Sequence, residues 1–232
     1  MADSPAAGES RRTQARDRLA REDDFGVALV LILLTITVFA SASGAWGQFV
    51  SVALSGGTLL FVLHTAGAHR RAFRASAVVV TIAVLGAGIA VLLGEAVATA
   101  TAGVIGLLLA VVAPIVILRR IVYSQTITIR LILGALAIYL LLGLAYAYLF
   151  PLIATLTHDP FFVQTSAPNA SDFIYFSYTT LATIGYGDYT AATSLGRMAA
   201  VSEGLVGQLY LVSAVALLVG NVGRQLRRND PD

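Results

Sequence analysis

The 232-residue sequence contains no cysteine and no lysine, and only 12% of its residues are charged. The missing cysteine excludes disulfides, a thiol nucleophile and any thiolate-bound metal. An ordinary soluble domain is about a quarter charged, so a chain this poor in charge and 57% hydrophobic is not one. No apolar run holds a carboxylate pair, the histidines lack His-x-x-x-His spacing, and no nucleophile shares a helix with an organised base. The expectation is a non-enzyme that needs no cofactor.

What the chain has instead is long apolar runs. Six are long enough to cross a bilayer as helices of about 20 residues: 25–43, 49–68, 75–94, 96–118, 131–154 and 198–220. The expected fold class is an all-α membrane protein with six transmembrane helices. A polar stretch of 24 residues precedes the first run, which argues against a cleaved signal peptide. All 15 basic residues are arginines, and they fall in alternate connections. Arg11, Arg12, Arg16, Arg18 and Arg21 precede the first span; Arg70, Arg71 and Arg74 follow the second; Arg119, Arg120 and Arg130 follow the fourth; Arg224, Arg227 and Arg228 follow the sixth. Only Arg197 lies opposite. The positive-inside rule then puts both termini in the cytoplasm of a multi-pass cell-membrane protein, with the connection between the fifth and sixth spans outside. Asp17, Glu22, Asp23 and Asp24 interleave with the N-terminal arginines and no aromatic residue joins them, so no nucleic acid partner is expected.

That outer connection carries the run Thr183, Ile184, Gly185, Tyr186, Gly187 and Asp188. Glycines at alternate positions permit backbone angles that residues with a Cβ avoid, so successive carbonyl oxygens can face one axis and replace the water around a bare K⁺. The Thr183 hydroxyl can add a ligand at the inner end, while Ile184 and Tyr186 point away and pack the loop. K⁺ contacts are expected at Thr183, Ile184, Gly185 and Tyr186. The preceding residues 171–182 read as about three helical turns opened by the N-cap type Ser171 and the acid Asp172. Such a helix is too short to span and suits a re-entrant pore helix whose C-terminal partial negative charge faces a cation.

With this run and its helix the sequence resembles the potassium channel family, of the type with six transmembrane helices and one pore per chain. Potassium filters commonly carry Val where this chain has Ile184, one β-branched residue for another. The resemblance is strong over 170–222, loose over the fifth span and limited to hydropathy before it. It implies a potassium-selective channel; the alternatives are a weakly selective cation channel or a membrane-anchored subunit that keeps the pore fold. Because the run occurs once, four chains are needed to surround one axis, and a homotetramer is expected. The expected organisation is a cytoplasmic tail at 1–24, a four-helix unit at 25–120, a linker at 121–129, a pore unit at 130–222 and a short tail at 223–232. With so short a tail, no appended regulatory domain is expected.

Voltage sensing requires arginines at every third position of the fourth span, and 99–118 has no ionisable residue. Steep voltage gating is therefore not expected. Relatives also carry paired tryptophans on the pore helix where this chain has Tyr175 and Phe176, so the Tyr175 hydroxyl has to replace a tryptophan N–H as the donor to Asp188. The proline often found after the filter aspartate is absent, with Ala191 and Ala192 there. In the sixth span the resemblance puts a hinge near Gly207, although glycines in membrane helices more often permit close packing, and the spacing from it makes Gln208, Leu211 and Val215 candidates to line an inner cavity. Glu203, the one carboxylate inside a span, lies about 140° from Gln208 on the helical wheel. Facing the back of the pore helix, it is expected to act as a neutral hydrogen-bonding brace, with Tyr178, Thr179 and Thr180 as candidate donors; the alternatives are a charged residue in a water-filled crevice and a pH-sensitive gate.

Overall fold

The computed structural model describes residues 26–41, 44–65, 70–122 and 129–229. These form seven helices and no strand: α1 Gly26–Ala40, α2 Gly44–Thr65, α3 Arg70–Leu93, α4 Glu95–Val122, α5 Ile129–Thr157, α6 Ala170–Leu181 and α7 Ser194–Asn229. Helices α2, α3, α4, α5 and α7 are long and apolar enough to cross a membrane; the described part of α1 is apolar but shorter. The expected tail at 1–24 and most of the linker at 121–129 lie outside the described residues.

The helices outrun the apolar stretches. Arg70, Arg71 and Arg74 open α3, Arg119 and Arg120 lie inside α4, and α7 continues to Asn229, past residue 222 where the pore unit was expected to end. Hydropathy marks where side chains leave hydrocarbon, whereas a helix propagates until something breaks it, and arginine is a good helix former.

Helices α2, α3 and α4 pack against one another and, through α4, along α5, and α1 joins the same core with Ala28, Ile32 and Phe39. Without a hydrophobic drive between helices in lipid, close backbone approach and interhelical hydrogen bonds hold such a bundle. Thr35 of α1 and Thr58 of α2 share a buried hydrogen bond of 3.0 Å. Tyr148 of α5 is the bolt between the two parts of the chain: it is 1% exposed, its hydroxyl lies 3.0 Å from Ser55 Oγ on α2, and its ring meets Phe39 of α1 edge-on at 4.5 Å. That ring occupies a notch in α4, since a Cβ built on Gly106 would stand 2.4 Å from Tyr148 Cε1. A rigid aromatic ring sealed among four helices cannot swing aside.

Gly106→Ala is therefore expected to weaken the α4–α5 contact by about 1–3 kcal/mol, the usual penalty for overpacking, and to lower the unfolding temperature of the detergent-solubilised protein. An unchanged transition on heating would show that the notch is not needed.

Candidate functional site

Helix α6 is capped two residues before the position expected from the sequence. Its N-cap is Asn169, not Ser171, and the cap is reciprocal: Asp172 N–H donates to Asn169 Oδ1 at 3.1 Å and Asn169 N–H donates to Asp172 Oδ2 at 2.9 Å. Asp172 thus satisfies an orphan donor as well as favouring the N-terminal dipole. At 12 residues α6 is about 18 Å long, well short of a hydrocarbon core of about 30 Å.

At its other end the chain leaves the helix in an unusual way. The φ angles of Thr183, Gly185 and Gly187 are 57°, 55° and 82°, while Ile184 and Tyr186 between them stay out of the positive region. The amides turn back onto α6: Thr183 N–H donates to Thr180 O at 2.9 Å, and the N–H groups of Ile184 and Gly185 donate to Thr179 O at 2.8 and 3.2 Å. Among the described residues no carbonyl from Thr183 to Gly187 accepts a hydrogen bond. The run therefore has tethered donors over its first three residues and free acceptors throughout. Nothing lies within 4 Å of a Cβ built on Gly185 or Gly187, so the need for glycine comes from their own φ rather than from crowding by neighbours.

The outer end of the run is held by polar side chains. The Tyr175 hydroxyl donates to Asp188 Oδ2 at 2.8 Å, and its ring stacks on Tyr186 with centroids 6.2 Å apart. Tyr189 N–H donates to Asp188 Oδ1 at 3.1 Å, and the Tyr189 hydroxyl donates to Asp172 Oδ1 at 3.1 Å. The bond to Asp188 pushes the Tyr175 hydroxyl up to about 12, and the bond to Asp172 pushes Tyr189 up as well. The inner end meets α7, where Gln208 Nε2 donates to Thr183 Oγ1 at 3.3 Å. Gly207 lies against the α6 terminus: a Cβ there would come within 2.8 Å of Leu181 Cδ1 and 2.9 Å of Leu181 O. Helix α7 is continuous through Gly207, which serves close packing here. Leu211 and Val215 border a cleft of about 270 Å³ between α5 and α7, with Tyr139 and Tyr210 on its wall.

Glu203 is completely buried, but its partner is not among the three residues named from the helical wheel. Its Oε1 lies 2.5 Å from Ser177 Oγ, which also lies 2.7 Å from Gly143 O on α5. Tyr178 turns instead to Leu140 O at 2.6 Å, and the Thr179 hydroxyl donates within its own helix. A wheel for α7 gives the direction of Glu203 and cannot give the rotation of α6, so it could not single out Ser177.

Sequence reading also missed the support behind the run. Phe161 and Phe162, in the loop after α5, join Phe150, Phe173 and Phe176 in a buried aromatic cluster. The same loop pairs with the segment after Asp188: Val163 N–H donates to Thr190 O at 3.0 Å and Ala192 N–H donates to Phe161 O at 2.8 Å. Gln164 completes the zipper by accepting from Thr190 N–H and donating to Thr190 Oγ1, both at 2.9 Å. Adjacent phenylalanines inside an otherwise polar loop were the available signal.

Residues 134–224 match a protein-family model described as ion channel. The match spans α6, the run and nearly all of α5 and α7, and it indicates an ion channel. No curated protein matches the chain. No solved structure matches it either.

Removing the Tyr175 hydroxyl leaves Asp188 with one donor. Channel activity of Tyr175→Phe in planar bilayers is expected to decline during sustained recording, whereas Tyr175→Trp, which restores a donor, holds closer to wild type. The tyrosine's shift is upward, so the wild-type bond is intact below pH 10.0 and is lost only as the pH approaches about 12. The Phe defect should therefore be the same across the neutral range; a defect that appears only above pH 9 would contradict the assignment.

Proposed function

We propose that four copies of the chain form a potassium-selective channel, with Thr183, Ile184, Gly185, Tyr186 and Gly187 as the selectivity filter. The observation that carries this reading is the run's asymmetry: the N–H groups of Thr183, Ile184 and Gly185 are tied to α6, the carbonyls from Thr183 to Gly187 are free, and positive φ recurs at alternate residues. Alternation of this kind turns successive carbonyls toward the same side, and a ring of them replaces the hydration shell of K⁺. Na⁺ is smaller and more strongly hydrated, so the same carbonyl set compensates its dehydration less well. Conduction is passive, by knock-on between adjacent sites.

Two features support the assembly. One run supplies a quarter of a fourfold ring. Helix α7 is apolar over 194–217, yet only 11% of that span is buried within the single chain, which leaves a face for neighbouring copies and lipid. In this reading α6 is re-entrant, α1 is a sixth span, and the arginine distribution puts the termini in the cytoplasm and the Asp188 end of the filter outside. The stretch of α4 between Glu95 and Arg119 carries no charge. One charge moved through 100 mV is worth about 2.3 kcal/mol, so a helix with none in the field cannot drive steep gating.

Purified protein in liposomes is expected to pass K⁺ well above Na⁺, and equal fluxes would instead indicate a weakly selective cation pore. Gly185→Ala and Gly187→Ala should abolish selective flux, because a Cβ in the left-handed region costs about 1–2 kcal/mol per residue and the ring repeats it four times. In planar bilayers the open probability should change only shallowly with voltage, and an e-fold change over a few millivolts would overturn that part of the reading.

A further inference from the structure

Glu203 on α7 is 0% exposed, and its Oε2 has no hydrogen-bond partner. Its Oε1, Ser177 Oγ and Gly143 O form a row of three oxygens with separations of 2.5 and 2.7 Å. Two contacts this short between oxygens are attractive only if each contains a proton. The carbonyl brings none and the serine hydroxyl brings one. An ionised Glu203 would leave one of the two contacts as bare oxygens facing each other.

The surroundings agree with this proton count. The ionisable groups facing Glu203 are Tyr139 from α5 and Tyr178 from α6, and no cation does so among the described residues. Both tyrosine hydroxyls are already committed, to Leu181 O at 3.2 Å and Leu140 O at 2.6 Å. A lone buried carboxylate without a cation is costly. The orphaned Oε2 fits a neutral acid better, since a buried carbonyl-type oxygen is tolerated without a partner more readily than a charged one.

We propose that Glu203 is a proton-binding site: it is held as the neutral acid and donates to Ser177, which donates in turn to Gly143 O. The bound proton then acts as a structural ligand, completing a relay from α7 through α6 to α5. The relay crosses α6 six residues before Thr183, so it helps set where the free carbonyls of the run stand. Losing the proton removes one of the two bonds and leaves a buried charge with no cation facing it among the described residues. The proposal goes beyond the channel reading and depends on it only for a flux readout.

Infrared difference spectra of the full chain in lipid bilayers at neutral pH test it directly. Wild type minus Glu203→Gln should show a carboxylic acid C=O band that moves to lower frequency in D₂O. Ser177→Ala, which keeps the acid and removes its acceptor, should move that band to higher frequency. Loss of a carboxylate band pair in the Gln variant, or an acid band indifferent to Ser177, would overturn the proposal. By flux, Glu203→Gln, whose amide brings its own proton to Ser177, should stay near wild type, whereas Glu203→Ala should lose about fivefold or more, the factor for one unsatisfied buried group. Raising the pH should reversibly depress K⁺ flux in wild type and spare the Gln variant; equal loss in both would also overturn the proposal. A protein that shows the acid band but carries no K⁺ would keep the proton site and refute the channel reading instead.

Discussion

A backbone surrounded by hydrocarbon must satisfy its own polar groups, and irregular chain survives at membrane depth only where protein or an aqueous cavity covers it. The segment from Ala182 to Thr193 is the one long irregular stretch that follows α6, and the structure treats its two kinds of backbone group differently. The donors of Thr183, Ile184 and Gly185 are returned to the last turn of α6. The acceptors are left free, which is tolerable only for oxygens that face water or a cation. Thr183 adds to the cost, since it is a β-branched residue at φ 57° where a glycine would be less strained. Strain of this kind persists when the surroundings over-determine it, and here they include a backbone bond to Thr180 O and the amide of Gln208.

The supports of this stretch divide by end. At the Asp188 end they are polar and aromatic, with tyrosines bonding two aspartates and a short backbone zipper lying over the phenylalanine cluster. At the Thr183 end they are helix contacts. The carbonyl of Leu181 receives the Tyr139 hydroxyl from α5 and abuts Gly207 of α7, so the final turn of α6 is gripped from both sides. Small residues make the grip close: a Cβ at Gly143 would stand 2.6 Å from Tyr178 Cε1, as one at Gly207 would meet Leu181. The free carbonyls are thus positioned by groups that never touch them.

Among the described residues helices α1 to α4 contribute no charged residue to this site, and a main link to it runs through the buried Tyr148 and its partners on α1, α2 and α4. The outer face of α3, with Val78, Val79, Ile82, Leu85 and Ile89 exposed, has the character of a surface meant for lipid. The bundle is joined to α5 along an extensive apolar contact with α4, in which Leu109, Ala110 and Ala113 meet Ile138, Leu141 and Leu144, and the Tyr148 ring pins that contact in register.

Much of this was legible in the residues alone. Apolar runs marked the long helices because hydrocarbon admits no other side chains, and alternate glycines marked the run because a Cβ opposes positive φ. The resemblance to channels whose pore-helix tryptophan donates to the filter aspartate pointed to Tyr175 as the donor to Asp188, and the structure forms that bond. Helix ends were less legible, because hydropathy follows the solvent while a helix follows its own propagation, and the cap of α6 fell to Asn169 rather than Ser171. Only the tertiary structure decided that Glu203 meets Ser177, that Gln208 reaches Thr183, and that the Phe161 loop zips onto Thr190 and Ala192. Those contacts depend on how separate helices are rotated about their axes, a quantity set by packing between distant segments and absent from the periodicity of any one of them.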